Sequence, residues 1–538
     1  MEDVSELYIV ETAYGKVSGK AENSAYSWLG IPFAKPPIGG LRWRAPVDPE
    51  PWSGTYQATQ MPKVCSQYLD YGDNPGFSGT EDCLYLNVYK PINNEQKLPV
   101  YFWIYGGGNT AGAAREYDGA TIAKKLNAVV VITQYRVGWL GFFNHPALRL
   151  GEMTDEDASG NYALLDLIKA LQWVQDNIAA FGGDPYVVTV AGESAGAFNV
   201  AALLAAAAVK EGNLFHRAIY MSGMPRELSR PLADGDKKGQ ILVDYFLSNN
   251  LEIKNLATLQ EIRNYLYSLD EQTLASAFPP DAYFGVLAED GAVIKKNVRQ
   301  QFEEGSYHKV PIMIGATRDE YALFACEQKP YLDLYNAARK KIKESEMQIT
   351  EEQKSDYAIL VRIMSRFWRA YSVDELTGLF ARHQSGVYGY TFAWDGDDGS
   401  LFQFVYGAPH FSEIPFFHGH PDNSETFSFG FSEANLPGRK ALSEAIVSYE
   451  KEFIRTGDPG NGWQNELPVK WQPWTMGKKS AERISLDADA SNAELSLQSD
   501  SFTVEQVVSE INSIDDPRMK ALIQQIILGW GAKIQCLQ

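Results

Sequence analysis

Tyr186-Val187-Val188-Thr189-Val190-Ala191-Gly192-Glu193-Ser194-Ala195-Gly196 is the stretch whose reading decides the fold. Its first five residues are a β-branched run that reads as a buried strand. From Phe198 to Val209 the chain is rich in Ala and Leu and reads as a helix. Between them a serine stands flanked by glycines, in a G-x-S-x-G pattern. Strand, turn and helix in that order fit a sharp elbow that lifts a serine hydroxyl to the top of a sheet. The helix N-terminus beneath it stabilises nearby negative charge. Glycine is needed on both sides because the turn is strained and crowded. The five letters also occur by chance in ordinary strand–helix turns, so their meaning depends on the rest of the chain.

A serine hydroxyl is a poor nucleophile at neutral pH. It needs a base in contact, an acid that orients the base, and donors aimed at the developing oxyanion. Leu98-Pro99-Val100-Tyr101-Phe102-Trp103-Ile104-Tyr105 reads as a strand that runs into Gly106-Gly107-Gly108-Asn109. Three glycines after an apolar strand expose backbone N–H groups to close approach. The Ala195 N–H, just after the serine, is a further donor. The base is one of seven histidines. His410 follows the Gly/Pro loop Tyr406-Gly407-Ala408-Pro409, and His418 and His420 stand close by. Chemistry alone does not rank His410 above them. No third ligand at a recognisable spacing accompanies His418-Gly419-His420, so no metal is expected there, and a surface loop is expected for both. The acid is Glu320, after the apolar run Val310-Pro311-Ile312-Met313-Ile314-Gly315. Asp319 is its rival, and spacing does not separate the two. Serine, then acid, then histidine is the chain order of an α/β-hydrolase.

Other motifs extend this. Leu29-Gly30-Ile31-Pro32-Phe33-Ala34-Lys35-Pro36-Pro37, Leu41-Arg42-Trp43-Arg44-Ala45-Pro46, Glu81-Asp82-Cys83-Leu84-Tyr85-Leu86-Asn87-Val88, Asn161 to Asp166 and Phe181-Gly182-Gly183-Asp184-Pro185 precede the elbow in order. With them the chain resembles the type-B carboxylesterases, the carboxylesterase/cholinesterase family, over nearly its whole length. The resemblance implies an α/β-hydrolase fold, with a large, mostly parallel central sheet flanked by helices and helical insertions over an active-site gorge. It implies Ser194 as nucleophile, Glu320 as acid and His410 as base, with Gly107, Gly108 and Ala195 as oxyanion donors. It places Ser222 buried behind these residues and Glu193 beside the base. It pairs Cys65 with Cys83, Arg44 with Glu81, and Arg136 with Asp166. A disulfide closing so short a loop stabilises by roughly 3 kcal/mol in the chain-entropy model.

Two departures bear on substrate. The family usually has an apolar or aromatic residue after the triple glycine, and here stands Asn109; its amide either lines the substrate pocket and faces a small or polar acyl group, or only caps the glycine loop without meeting substrate, and the sequence leaves both open. Cholinesterases hold a quaternary ammonium on a tryptophan in the first cysteine loop. Ser66 to Asp82 has no Trp; its aromatics are Tyr68, Tyr71 and Phe77. The expected activity is therefore serine-dependent hydrolysis of short- to medium-chain or aryl carboxylic esters through an acyl-enzyme, without cofactor or metal. A lipase or an amide/carbamate hydrolase of the same fold is the alternative. A non-catalytic adhesion homologue is disfavoured, because all three triad residues are kept.

Length alone, 538 residues, suggests three or four domains. Serine, acid and base must meet, however, which argues for one large domain over 1–538 with insertions at about 225–300 and 325–385. Leu/Ile/Tyr spacing predicts amphipathic helices within Leu256 to Leu274 and Tyr357 to Tyr371. Asp487 to Asp500 reads as a polar surface connection before a last helix near Arg518 to Trp530. A net charge of −20 argues against nucleic acid and anionic membranes as partners. No segment reaches the roughly 18 apolar residues of a membrane span. No signal peptide follows Met1, so the chain as it stands reads as cytoplasmic, or as secreted or periplasmic if a signal has been removed. A monomer or small homo-oligomer is expected, and Cys326 and Cys536 have no evident partner.

Overall fold

Fully apolar runs become strands buried on both faces. Val129–Thr133, Ile312–Thr317 and Val387–Phe392 are each buried at every residue, as is Leu98–Ile104. The structure, a computed structural model, describes residues 8–22, 25–69, 75–249, 256, 258–277, 285–325, 328, 331–332, 334, 350–396, 401–422, 430–475 and 483–530. Two compact units emerge, Met1–His216 with Leu228–Lys309, and Arg217–Glu227 with Val310–Gln538.

In the first unit the main strands are β1 Lys20–Glu22, β2 Ala25–Pro32, β3 Tyr85–Pro91, β4 Leu98–Ile104, β5 Val129–Thr133 and β6 Gly183–Glu193. Their order in the sheet is β6-β4-β5-β3-β2-β1. The inner pairs β6–β4 and β4–β5 are parallel, and the pairs beyond them are antiparallel. Gly192 lies opposite Ile104 in the β6–β4 register. The elbow and the glycine loop therefore leave adjacent strands at the same carboxyl edge, where open α/β sheets bind ligands. Helix α1, Ala195–Ala205, is buried at every residue and packs on β6 and β4. The helix expected over Phe198 to Val209 begins three residues earlier and is broken at Ala206, whose extended backbone separates it from a short second helix, Ala207–Gly212. The insertion expected near 225–300 carries helices Leu232–Asn249, Leu259–Ser268 and Glu271–Ala275. Leu259–Ser268 starts at a reciprocal capping box between Thr258 and Glu261.

In the second unit β7 Arg217–Met221, β8 Ile312–Thr317, β9 Val387–Phe392 and β10 Arg483–Ala488 are parallel in succession. Antiparallel β11, Ala493–Gln498, closes the edge. The polar connection expected at Asp487 to Asp500 is thus corrected to a hairpin. Exposed positions alternate along β11, which is why its sequence reads as surface. Helix α2, Glu351–Arg369, begins at a Thr350/Gln353 capping box and buries Tyr357, Leu360, Ile363, Met364 and Phe367. Val504–Asn512 and Pro517–Gly529 pack into the same core through Val507, Ile511, Ile523 and Ile527. Burying each such side chain is worth about 1.5–3 kcal/mol. Part of the insertion expected at 325–385, together with Cys326 and Cys536, lies outside the described residues. Among the described residues no helix is long and apolar enough to cross a membrane.

Candidate active site

Ser194 closes β6 and caps α1 with φ 57° and ψ −120°. A non-glycine residue held there stores about 1–3 kcal/mol of strain, which persists only where the surroundings over-determine it. They do so here. A Cβ on Gly196 would lie 2.0 Å from the Ile104 carbonyl oxygen, and one on Gly192 would lie 2.5 Å from the Gly196 carbonyl carbon. No side chain larger than hydrogen fits at either position. Ala195 is the first residue of α1, so its N–H has no acceptor within the helix.

The glycine loop abuts this turn. A Cβ on Gly106 would meet the Ser194 Cβ at 3.1 Å and the Glu193 carboxylate at 3.0 Å. Gly107 has φ +97° and Gly108 φ +65°, and a Cβ on Gly107 would stand 2.4 Å from the Ala111 carbonyl oxygen. Thr110 and Ala111 both donate their N–H to the Gly107 carbonyl at 3.0 Å, which fixes the turn. Gln67 secures the loop from outside, accepting from the Gly112 N–H at 2.9 Å and donating to the Gly112 carbonyl at 3.1 Å. Gln67 lies just inside the disulfide Cys65–Cys83, which forms as the family resemblance implied. The same side chain also donates to the Cys65 carbonyl.

Asn109 is held within the protein. Its side chain is fully buried, with φ 61°. Its oxygen accepts from Asn199 Nδ2 at 2.9 Å and from the Tyr135 hydroxyl at 3.4 Å, and its nitrogen donates to the Gly285 carbonyl. Of the two readings the sequence left open, these contacts fit the loop-capping one: the amide pins the glycine loop to α1.

In the second unit Glu320 follows β8 and is fully buried. One carboxylate oxygen accepts the Thr317 N–H at 2.9 Å, and the other lies 2.5 Å from His410 Nδ1. Toward an ionised carboxylate, which only accepts, Nδ1 is the donor. Asp319, the rival that spacing left open, has different work. Its carboxylate accepts the Ala408 N–H at 2.9 Å, and its N–H donates to the Ala408 carbonyl at 2.9 Å. Arg318 binds the same carboxylate through Nε at 2.9 Å. Asp319 thereby clamps the loop that carries His410. The His410 ring packs against Trp368 at 4.8 Å and Phe324 at 5.3 Å between centroids. Sequence reasoning missed both aromatics; the helical period of α2 marks Trp368 as inward-facing but not its neighbour.

Ser222, with φ 53°, is fully buried and donates its hydroxyl to the Glu413 carboxylate. Glu413 also went unnoticed in the sequence. Glu193 is buried, 3% exposed. His418, expected on a surface loop, is a correction: it is 4% exposed at the end of Ile414–Phe417, and burial pushes its pKa down to about 3. His420 is half-buried. Among the described residues no group of three or more His, Cys, Asp or Glu is placed to hold a metal.

Of the two expected ion pairs, Arg136–Asp166 is present. Arg136 donates through Nε at 2.8 Å and a terminal nitrogen at 2.7 Å, while burial raises the Asp166 pKa against the pull of Arg136. Arg44–Glu81 is corrected. Glu81 pairs with Arg42, and Arg44 approaches Asp157 at 3.9 Å. Trp43 has φ 52°, so the alternation between Arg42 and Arg44 is broken and only Arg42 reaches the carboxylate.

The model of the carboxylesterase family matches residues 6–503. The para-nitrobenzyl esterase of Bacillus subtilis (strain 168) is 32% identical over 498 residues, 89% of this chain and 95% of that protein. A medium-chain fatty acyl-CoA hydrolase precursor of Anas platyrhynchos is 32% identical over 519 residues, 88% of each. A solved PNB esterase superposes with TM-score 0.67 at 30% identity, covering 91% of this chain and 97% of that one. The Geobacillus stearothermophilus carboxylesterase EST55 superposes with TM-score 0.70 at 28% identity, with the same coverage.

Proposed function

The chain belongs to the carboxylesterase family of α/β-hydrolases, and on that premise we propose that its ester hydrolysis runs through Ser194, Glu320 and His410. Ser194 Oγ attacks the ester carbonyl as His410 Nε2 takes its proton. The carbonyl oxygen becomes an oxyanion held by the N–H groups of Gly107, Gly108 and Ala195. Glu320 keeps the imidazole tautomer and stabilises the imidazolium. His410 returns the proton to the departing alkoxide, the alcohol leaves, and Ser194 carries the acyl group. Water then repeats the sequence, restoring the serine and releasing the acid. One large domain over 1–538 belongs to this reading.

The observation that carries it is the buried 2.5 Å contact of His410 with Glu320 in the second unit; the strained Ser194 elbow of the first unit supports it independently. The substrates proposed are short- to medium-chain or aryl esters, in keeping with relatives named for a para-nitrobenzyl ester and for medium-chain acyl groups. Asn109 no longer supports that range, because its amide is occupied within the protein. Kinetics with p-nitrophenyl butyrate test the reading. Ser194→Ala should lose several orders of magnitude in kcat with an unchanged thermal midpoint. Retention of most of the turnover would refute the assignment.

A further inference from the structure

The second unit contains a cavity of about 560 Å3 whose wall includes Asp319 and Gly407, from the loops carrying Glu320 and His410, but neither of those two residues. That volume lies within the roughly 300–1,000 Å3 of small-molecule sites. Its floor is polar and built. Thr391 and Ser485 are register partners on β9 and β10, and each is 5% exposed. The Thr391 hydroxyl is buried in this floor and has no hydrogen-bond partner among the described residues. The walls are apolar, formed by Tyr357, Val361, Phe404 and Phe502. Phe404 remains 37% exposed.

Charge decides the ligand class. Elsewhere around the cavity the guanidinium groups are fully matched: Arg318 binds Asp319 and Asp395, and Arg369 with Arg483 shares Asp374 and Asp500. Arg362 and Arg366, one turn apart on α2, instead share the single carboxylate of Glu510. Their side chains are 46% and 37% exposed. They present a cation in excess in a chain whose net charge is −20. Guanidinium forks suit carboxylates. The Arg366 and Arg369 guanidinium groups lie over the Phe502 ring, 5.1 and 4.5 Å from its centroid, so the charged rim is continuous with the aromatic part of the wall.

We propose that this cavity binds a small amphipathic monocarboxylate, its carboxylate on Arg362 and Arg366 and its apolar body between Val361, Phe404 and Phe502. An acid of that chemistry is what hydrolysis of medium-chain or aryl esters releases; that identification rests on the proposed function, whereas the site itself does not. Calorimetric titration of the full chain with hexanoate, hexan-1-ol and hexylammonium tests it, after the enzyme's own nucleophile has been blocked with a phosphonate. Hexanoate should bind once per chain, at least about tenfold more tightly than either analogue. The double variant Arg362→Gln/Arg366→Gln should weaken it by a similar factor. So should Ala358→Trp, which fills the cavity from an exposed helix position, with folding checked by an unchanged thermal midpoint. Equal binding of hexan-1-ol, unchanged affinity in both variants, or loss of binding on blocking the nucleophile would overturn the proposal. Wild-type turnover of p-nitrophenyl butyrate is measured alongside: its absence counts against the proposed function and leaves the titration to decide the cavity.

Discussion

Asp319 and Glu320 are neighbours with the same chemistry, yet only Glu320 reaches His410 while Asp319 clamps Ala408. Their substitutions should differ accordingly. Glu320→Gln removes the carboxylate that fixes the tautomer and should lower kcat by about ten-thousand-fold, as loss of the buried acid does in other serine triads. Asp319→Asn keeps an oxygen for the Ala408 N–H and should cost about tenfold or less. Steady-state kcat on one p-nitrophenyl ester separates them, and equal losses would reopen the assignment. His418 supplies a second prediction at this scale. Its pKa is depressed to about 3 from an ordinary value near 6.5 by burial, so the unfolded chain takes up a proton that the folded one refuses. The sign is definite: His418 imposes no penalty above pH 6.5, and stability falls as pH drops from 6.5 toward 3. The loss approaches about 1.4 kcal/mol per pH unit once the unfolded histidine is protonated. Urea unfolding from pH 7 to 4 should show a shallower fall in His418→Gln than in wild type, and parallel curves would contradict the burial account. Adjacent acids are indistinguishable by spacing, and a His-Gly-His run looks loop-like. Both questions were therefore closed only by three-dimensional contacts.

At the scale of elements, buried charge should dominate the stability of the loops around the first unit's sheet. Asp166 is fully buried. Arg136→Leu strands it and should cost about 3–5 kcal/mol. Arg42→Leu should cost more than Arg44→Leu, because the Arg42–Glu81 side chains are 9% and 8% exposed whereas Arg44 meets Asp157 only at 3.9 Å. Urea midpoints of the three variants check this order, and a costlier Arg44→Leu would restore the pairing that the sequence suggested. The disulfide loop spans 18 residues, and Cys65→Ser/Cys83→Ser should lose about 3 kcal/mol in the chain-entropy model. Gln67 joins that loop to Gly112, so the same variant should also raise KM or lower kcat; a purely thermodynamic loss would show that the glycine loop holds itself. Strands with continuous apolar runs, the elbow helix and the capped helices were legible, because their periodicity is set by burial. The β10–β11 hairpin was not read, although Ala493, Leu495 and Leu497 alternate with Glu494, Ser496 and Gln498; the polar turn Asp489-Ala490-Ser491-Asn492 and the exposed outer face of an edge strand outweighed that short period.

At the scale of the whole molecule, the family and its fold were legible from separated motifs in a fixed order, and they agree with relatives aligned over nearly nine-tenths of the chain. Substrate range was far less legible. Asn109, the sequence feature read as facing the acyl group or capping the glycine loop, is bound into the interior by Asn199 and Tyr135. Chain-length preference should therefore be insensitive to Asn109 as a contact. Wild type should favour p-nitrophenyl butyrate over palmitate, and palmitate preference would favour a lipase. Asn109→Ala should lower activity on all chain lengths alike by disordering the glycine loop; a selective change would return Asn109 to the acyl site. The most direct test of the central claim is peptide mapping after reaction with a p-nitrophenyl phosphonate. The account predicts one adduct per chain, on Ser194, with p-nitrophenol released in equal amount. An adduct on Ser222 or elsewhere, with Ser194 unmodified, would contradict it.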